Sequence, residues 1–420
     1  MAQTVANLTE VLKEAWTSDK LEKQFYDEAP LLDRLAKRSV SMSPGKLGEK
    51  AVVPIYKGLG GGYTSVGSAG GSLNVADEAK VDSAEYTLVY HYHQINLETG
   101  ALNQSGGAQV VDAKMLEVGN ALSNVRRQCM RQIATNGDGI VAACDTGGAS
   151  TTVELLVDSA TAYGYQALVR GWLQPGTLVD IGTTADTDSL VTASEITAIK
   201  EDASDPDITI GSSISTTSGT HFVYIANPNS ATAANVELNG FRQMFGSTSS
   251  AVGGLDPDTA GEEFWKPAKV DTTTTVFSLD LALELQRAVH QKTGSLGNSE
   301  VWTSLKQQAN FYSLLQNQVR FTGDANIGAG DPSGAKWRGM APNAVPDILD
   351  QDWFHVTMDN VFVVTGEQIT KPTWMSDIEG AGGRLRWVQG STAFTDAIVY
   401  PFQVAIDRRN SHAAAIGLIA

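Results

Sequence analysis

Cysteine is nearly absent: Cys129 and Cys144 are the two in 420 residues. Two thiols form neither a disulfide framework nor a four-thiolate zinc site by themselves. No uninterrupted run of ~18 apolar residues occurs, which excludes a transmembrane helix. Residues Met1 to Leu12 are polar and lack the basic-then-apolar pattern of a secretory leader, so cytoplasmic synthesis is expected. Positive charge is scarce, with 30 Lys+Arg against 47 Asp+Glu and a net charge of −17. Sequence-specific DNA readers neutralise phosphates with Lys and Arg, so that class is disfavoured. Catalytic motifs are missing too, since there is no Gly-x-Ser-x-Gly elbow and no Cys-x-x-Cys.

What is present is ample apolar material, 42% of residues, in a chain long enough for two or three folding units. The acidity is concentrated. Thr151 to Glu262 holds 14 acids and three bases (Arg170, Lys200, Arg242), a local −11, whereas residues 1–50 carry eight of each sign. A stretch this acidic and rich in Thr, Ser and Gly reads as solvent-facing.

The opening segment reads as a broken helix. Asp19 and Glu22 have capping-box spacing, Leu21, Phe25 and Leu32 are patchily apolar, and Pro30 interrupts before Leu31, Leu32 and Leu35 resume. It buries little alone and is expected to lie as an arm on another surface. A strand over Ala51 to Tyr56 leads into an uncharged run, Gly58 to Ala76, with seven glycines in the 14 residues Gly58 to Gly71. The return, Glu85 to Leu97, is apolar on both faces: Tyr86, Leu88, Tyr90 and Tyr92 on one, Val89, Ile95 and Leu97 on the other. It reads as a long two-stranded excursion needing cover from its own body or a neighbouring subunit.

The clearest helix runs from Ala108 to Ala134. Val111, Met115, Val118, Leu122, Val125, Cys129 and Ile133 form one stripe, and Asn136-Gly137 is the stop. At ~1.5 Å per residue it is a rod of roughly 40 Å, suited to a structural spine. Short strands follow at Thr177 to Ile181, Glu195 to Ile199, Asp207 to Ile210 and His221 to Ile225, a small β module inserted in a larger α/β region. A helix over Leu279 to Gln291 has Ser278 as cap and Gly294 as stop, and a strand-then-helix spans Glu300 to Val319. Strands at Val361 to Thr365, Arg384 to Gln389 and Ile398 to Ile406, and an apolar run from Ala413, close the chain.

Side-chain groupings offer no convincing active site. His91 and His93 share a strand face, but no third ligand has matching spacing. Asp350, Asp352 and His355 lack a nucleophile motif. Asp256, Asp258, Glu262 and Glu263 lack the spacing and central glycine of a helix–loop–helix calcium site. Gly328 to Lys336 lacks the Gly-Lys-Ser/Thr ending of a phosphate cradle, and no helix follows the glycines from Gly58 to Gly71. We therefore expect no enzyme, with no catalytic, cofactor-binding or metal-binding residue and no cofactor.

The order of these features resembles the major capsid proteins of tailed double-stranded DNA bacteriophages. The resemblance is carried by Asp27-Glu28-Ala29-Pro30-Leu31-Leu32, the Gly-rich excursion, and the long helix with Asn124, Arg126 and Arg127. Ser299-Glu300-Val301-Trp302-Thr303-Ser304 and Met340-Ala341-Pro342-Asn343-Ala344-Val345-Pro346 complete it. It implies an α+β Hong Kong 97-type fold with an N-terminal arm (1–44), an extended β-hairpin loop (45–100) and a peripheral-domain spine helix (101–145). An axial domain (146–349) with a β-rich insertion at 172–226 and return strands (350–420) would follow. It further implies hexamers and pentamers of an icosahedral head in the virion, assembled in the host cytoplasm. Implied partners are copies of itself, portal, scaffolding and decoration proteins and non-specific packaged double-stranded DNA, with no membrane. No scaffolding segment is read at the N-terminus, so a separate scaffold or an already mature chain is expected. Some relatives cross-link through a Lys and an Asn; Lys57 and Lys80 flank the loop tip here without a motif that assigns such a bond. The alternatives are an encapsulin-like nanocompartment shell and a β-rich surface-binding or adhesive protein.

Overall fold

The structure, a computed structural model, describes residues 30–39, 50–58, 80–98, 107–159, 162–183, 189–226, 237–272, 275–316, 342–366, 369–378, 386–387 and 393–419. Asp19, Glu22, the glycines from Gly60 to Gly71 and the Gly328 to Lys336 segment lie outside them.

The described part of the leading segment, residues 30–39, lies against the chain's own body. Helix α1 (Pro30–Arg34) and the residue after it place Leu31, Leu32 and Leu35 in the chain's own main core. Strand β1 (Ala36–Ser39) then adds in parallel to strand β15 (Val361–Thr365). Three closely spaced leucines followed by a pairing strand are enough to dock this stretch on its own body.

The excursion also divides. Strands β2 (Lys50–Gly58) and β3 (Lys80–Thr87) form a two-stranded antiparallel ribbon. Strand β4 (Val89–Glu98) leaves it for a six-stranded sheet. The burial phase changes at the junction: Ala84, Tyr86 and Leu88 point inward before it, and Ile95 after it. Apolar residues on both faces of one stretch thus reflect a strand that changes sheets. The ribbon's inner face, Ala51, Val53, Ile55, Ala84 and Tyr86, packs on the same chain, and Tyr86 Oη donates to the Ile406 carbonyl at 2.8 Å.

Helix α2 (Gly107–Ala134) buries Val118, Leu122, Val125, Cys129 and Ile133, as its 3.6-residue stripe requires. Next come β5 (Ile140–Ala143), β6 (Gly147–Glu154), α3 (Gly164–Val169), β7 (Leu178–Thr183), β8 (Ser189–Lys200), β9 (Asp207–Thr216) and β10 (His221–Ile225). Their order is β5-β10-β7-β8-β9-β6. The two ends meet through a Cys144–Leu155 bridge, with Leu156 N–H donating to Ala143 O and Asp145 N–H to Glu154 O, both at 2.8 Å. The module therefore closes on itself around a separate core that includes Val153, Ile181, Ile196, Ile208 and Val223. Its sheet begins at Ile140, earlier than the 172–226 span the sequence suggested, because β5 and β6 are short or dominated by Gly, Ser and Thr.

After α4 (Phe241–Phe245), a five-stranded sheet has the order β11-β19-β14-β12-β13. These are β11 (Lys269–Asp271), β12 (Ser299–Thr303), β13 (Pro342–Ala344), β14 (Trp353–Thr357) and β19 (Ala413–Ala415). Helix α5 (Leu279–Thr293) begins where Ser278 Oγ accepts the Leu281 N–H and ends at Gly294, whose φ of +75° suits glycine. With α6 (Leu305–Gln316) it covers a third core around Phe277, Leu285, Phe311 and Trp353. The remaining elements are β16 (Thr373–Trp374), α7 (Met375–Ile378), β17 (Arg386–Trp387) and β18 (Ala393–Ile406). Strand β18 is the axis of the six-stranded sheet: β15, β16 and β17 follow one another along one edge and β4 runs along the other. Beyond it, the Arg409 guanidinium donates to the carbonyls of Gln243, Met244, Ser247 and Ser250, satisfying the end of α4.

Two glycines give opposite expectations for subunit stability, read by urea denaturation. A Cβ at Gly240 would lie 1.8 Å from the Thr135 carbonyl oxygen, so Gly240→Ala should destabilise by at least about 2 kcal/mol. Gly119, within α2, has open space at that position, and Gly119→Ala should stabilise by about 0.5–1 kcal/mol.

Candidate functional site: a polar clasp and the exposed apolar surface

Asp350 and Asp352 are brought together with partners, but with cations rather than with a reacting group. Arg242, on α4, donates from Nε and Nη2 to the two Asp352 oxygens at 2.7 and 2.8 Å, and both residues are buried. Arg170, just after α3, reaches Asp350 at 3.0 Å. Gln166 accepts the Asp350 N–H at 2.9 Å and donates to Gln351 at 3.1 Å. From the other side, Gln307 donates to the Asp350 carbonyl and Thr303 to the Asp352 carbonyl. Residues 350–352 thus tie the closed β module, α4 and the five-stranded sheet together. Burial pushes the Asp352 carboxyl up, against the pull of Arg242.

His355 does not join them. It lies in β14, buried, with Nε2 unpaired, and burial lowers it to about 4. Burial, then the charges of His355 and Arg409, lower nearby His412 to about 3; His412 Nδ1 accepts the Thr357 N–H at 3.2 Å. His91 and His93 share a face of β4. The His91 ring lies 4.9 Å from the Phe402 ring at a tilt of 39°, and burial together with Arg131 lowers it to about 4. Among the described residues no three His, Cys, Asp or Glu side chains converge as a metal site requires.

The acidic loop is spent on its own backbone and one lysine. Glu262 accepts the Asp256 N–H, Asp256 the Asp258 N–H and Glu263 the Gly261 N–H, while Lys266 pairs with Asp258. Lys57 pairs with Asp82 at 3.3 Å and lies over the Phe264 ring.

Apolar surface left uncovered is concentrated on strand faces and element ends. Tyr56 and Val81 are direct cross-strand partners on the ribbon's outer face, 81% and 58% exposed. Tyr90 and Tyr92 stack at 6.2 Å on the outer face of β4. The aromatic alternation pointed to Tyr90 and Tyr92. No local signal pointed to Arg170, Gln166 and Arg242, because their partners lie more than a hundred positions away in sequence.

Two predictions concern the buried charges. Arg242→Met strands the Asp352 carboxylate and should cost about 3–5 kcal/mol in urea denaturation, whereas Arg242→Met with Asp352→Leu should recover most of it. His91, His355 and His412 sit below their ordinary 6.5, so the unfolded chain takes up protons the folded chain refuses, and stability falls as pH drops from 6.5 through about 4. Asp138, Glu237, Asp347 and Asp352, raised by burial, act in the opposite sense. The isolating measurement is a difference: between about pH 6 and about pH 4.5, stability of His91→Leu should fall less steeply than wild type, by up to about 1.4 kcal/mol per pH unit.

No family model and no curated protein matches this sequence. Solved structures do. A chain of the cyanophage A-1(L) capsid asymmetric unit aligns with a TM-score of 0.56 at 10% identity, covering 93% of each chain. A chain of the capsid of a native GTA particle aligns at 0.47 and 9% identity, over 95% of this chain and 90% of that one. A chain of the satellite phage P4 procapsid aligns at 0.44 and 11% identity, over 100% and 98%. Nearly end to end, then, this protein has the mixed α/β fold of a phage capsid protein.

Proposed function

We propose that this chain is a major capsid subunit, a structural protein that tiles with copies of itself into the icosahedral head of a tailed bacteriophage. The observation that carries the reading is the fold likeness to the cyanophage capsid chain along 93% of both molecules. In this reading the fold is of the Hong Kong 97 type and the tiles are hexamers and pentamers enclosing double-stranded DNA. The segments 1–44, 45–100, 101–145, 146–349 and 350–420 serve as arm, extended loop, spine, axial domain and return strands. In the same reading the self-closed β module is an insertion of the axial domain, and decoration proteins are among the partners. Portal and scaffolding proteins are the other partners.

The geometry suits a tile. Helix α2 and strand β18 are long members of 28 and 14 residues, and the ribbon turns an apolar pair, Tyr56 and Val81, toward solvent. A shell needs contacts that are weak singly and numerous, and exposed aromatic and β-branched pairs on a strand supply them. The acidic balance fits a container for a polyanion, because it avoids trapping the packaged phosphates. Among the described residues no helix is long and apolar enough to cross a membrane. An encapsulin-like shell shares the tiling and differs in its content.

Purified protein should form shells or capsomer sheets visible by negative-stain electron microscopy. Tyr56→Ser with Val81→Ser should abolish them or raise the protein concentration they need about tenfold, equivalent to ~1.4 kcal/mol. The melting temperature of the isolated subunit should stay where it is, since neither side chain is buried. A chain that remains monomeric under all assembly conditions would sink the proposal, and particles from cells that hold a cargo enzyme instead of DNA would favour the nanocompartment.

A further inference from the structure

Asparagine followed by glycine occurs twice in the sequence, at Asn136-Gly137 and Asn239-Gly240. Glycine has no side chain to keep its main-chain nitrogen away from the preceding side chain, so such a pair is prone to lose the asparagine amide. Whether it does so depends on how the fold holds each asparagine.

Asn239 is held. Its Nδ2 donates to the Val404 carbonyl at 3.2 Å and its N–H to Gln403 Oε1 at 2.8 Å, both on β18. Gly240 is buried, its main chain wedged against the Thr135 carbonyl. Asn136, by contrast, is exposed, just past the end of α2. Among the described residues its amide makes one hydrogen bond, from Nδ2 to Asp138 Oδ2 at 3.5 Å, the long limit for such a contact. The Gly137 N–H has no main-chain acceptor among the described residues. Gly137 is fixed from its other side, with a φ of +67° and a position where a Cβ would lie 2.2 Å from the Leu238 carbonyl oxygen. The nitrogen is therefore stationary and unengaged, and the loosely held side chain beside it is free to swing onto it.

We propose that Asn136 is a modification site, converted spontaneously to aspartate and isoaspartate in the folded subunit while Asn239 is preserved. The Gly137 nitrogen attacks the Asn136 side-chain carbonyl carbon and gives up its proton. The bond to the side-chain nitrogen breaks, ammonia leaves, and a cyclic imide closes. Water then opens the ring at either carbonyl, leaving aspartate or isoaspartate, and no other co-reactant is needed. The product alters the join between α2 and α4. A carboxylate at position 136 faces Asp138 where a donor stood before, and it adds negative charge at the negative end of the α2 dipole. The isoaspartate form also lengthens the main chain where Gly137 already crowds Leu238. None of this depends on the shell reading.

The test ages the full chain, purified alone as free subunits, at neutral pH, and follows both sites by peptide mass spectrometry. In the folded subunit Asn136 should convert at least about tenfold faster than Asn239, a barrier difference of ~1.4 kcal/mol. In urea both asparagines lose their surroundings and should convert at similar rates. If Asn136 survives in the folded chain as long as Asn239, the rigid turn prevents ring closure and the inference is overturned. The same rate ratio in urea would also overturn it, because flanking sequence rather than the fold would then set the difference. Asn136→Asp should melt below both wild type and Asn136→Ser; a melting temperature equal to wild type would overturn the effect on the α2–α4 join.

Discussion

The structure turns on one buried charge pair. Asp352 is wholly enclosed, and an ionised carboxylate in such a place persists only if it is met by a cation with matched hydrogen bonds. Arg242 meets it with a two-bond fork. Since Asp352 lies immediately before β14 and Arg242 on α4, this pair fixes how the five-stranded sheet sits against the main core. Asp350 and Gln351, in the same short turn, engage Arg170 and Gln166 from the closed β module. Three cores of different make-up are thus oriented by three consecutive residues. Apolar surfaces alone would tolerate sliding; a forked ion pair does not.

Around that corner each core is conventional in its physics. The main core is sheet on helix, with β18 as the common strand and α2 laid across β4. The closed module pairs part of its own edges where its two end strands meet at the Cys144–Leu155 bridge. Histidines buried neutral and carboxyls raised by burial place opposing acid responses in the same body, so its stability against pH is a balance between them.

The ribbon and the leading segment qualify the picture of a subunit that leaves everything sticky for its neighbours. Leu31, Leu32, Leu35 and the inner face of β2 and β3 are covered by the chain's own body. Among the described residues, apolar surface that stays open includes the outer pair Tyr56 and Val81, the Tyr90–Tyr92 stack, the ends around Val276 and Ile419, and Leu305 at the start of α6. Association through such limited patches is weak per contact and depends on repetition, as closure of a symmetric shell provides.

Residue periodicity by itself determined the regular elements. The α2 stripe, the α5 helix with its Ser278 and Gly294 boundaries, and the strand Val361 to Thr365 all emerge at their true places, since local spacing and capping chemistry suffice for them. Strands β5 and β6 were not legible, because Gly, Ser and Thr carry little alternation and those strands exist by pairing with partners further along the chain. Nor was the strand exchange at Leu88, where apolar residues on both faces suited a free hairpin equally well. Tertiary structure alone decided that Asp350 and Asp352 are met by Arg170 and Arg242, and that Gln286 is enclosed without a partner. The reason is common to all of these: a carboxylate's or an amide's role is set by what lies within about 3 Å of it, and folding brings those neighbours from a hundred residues or more away.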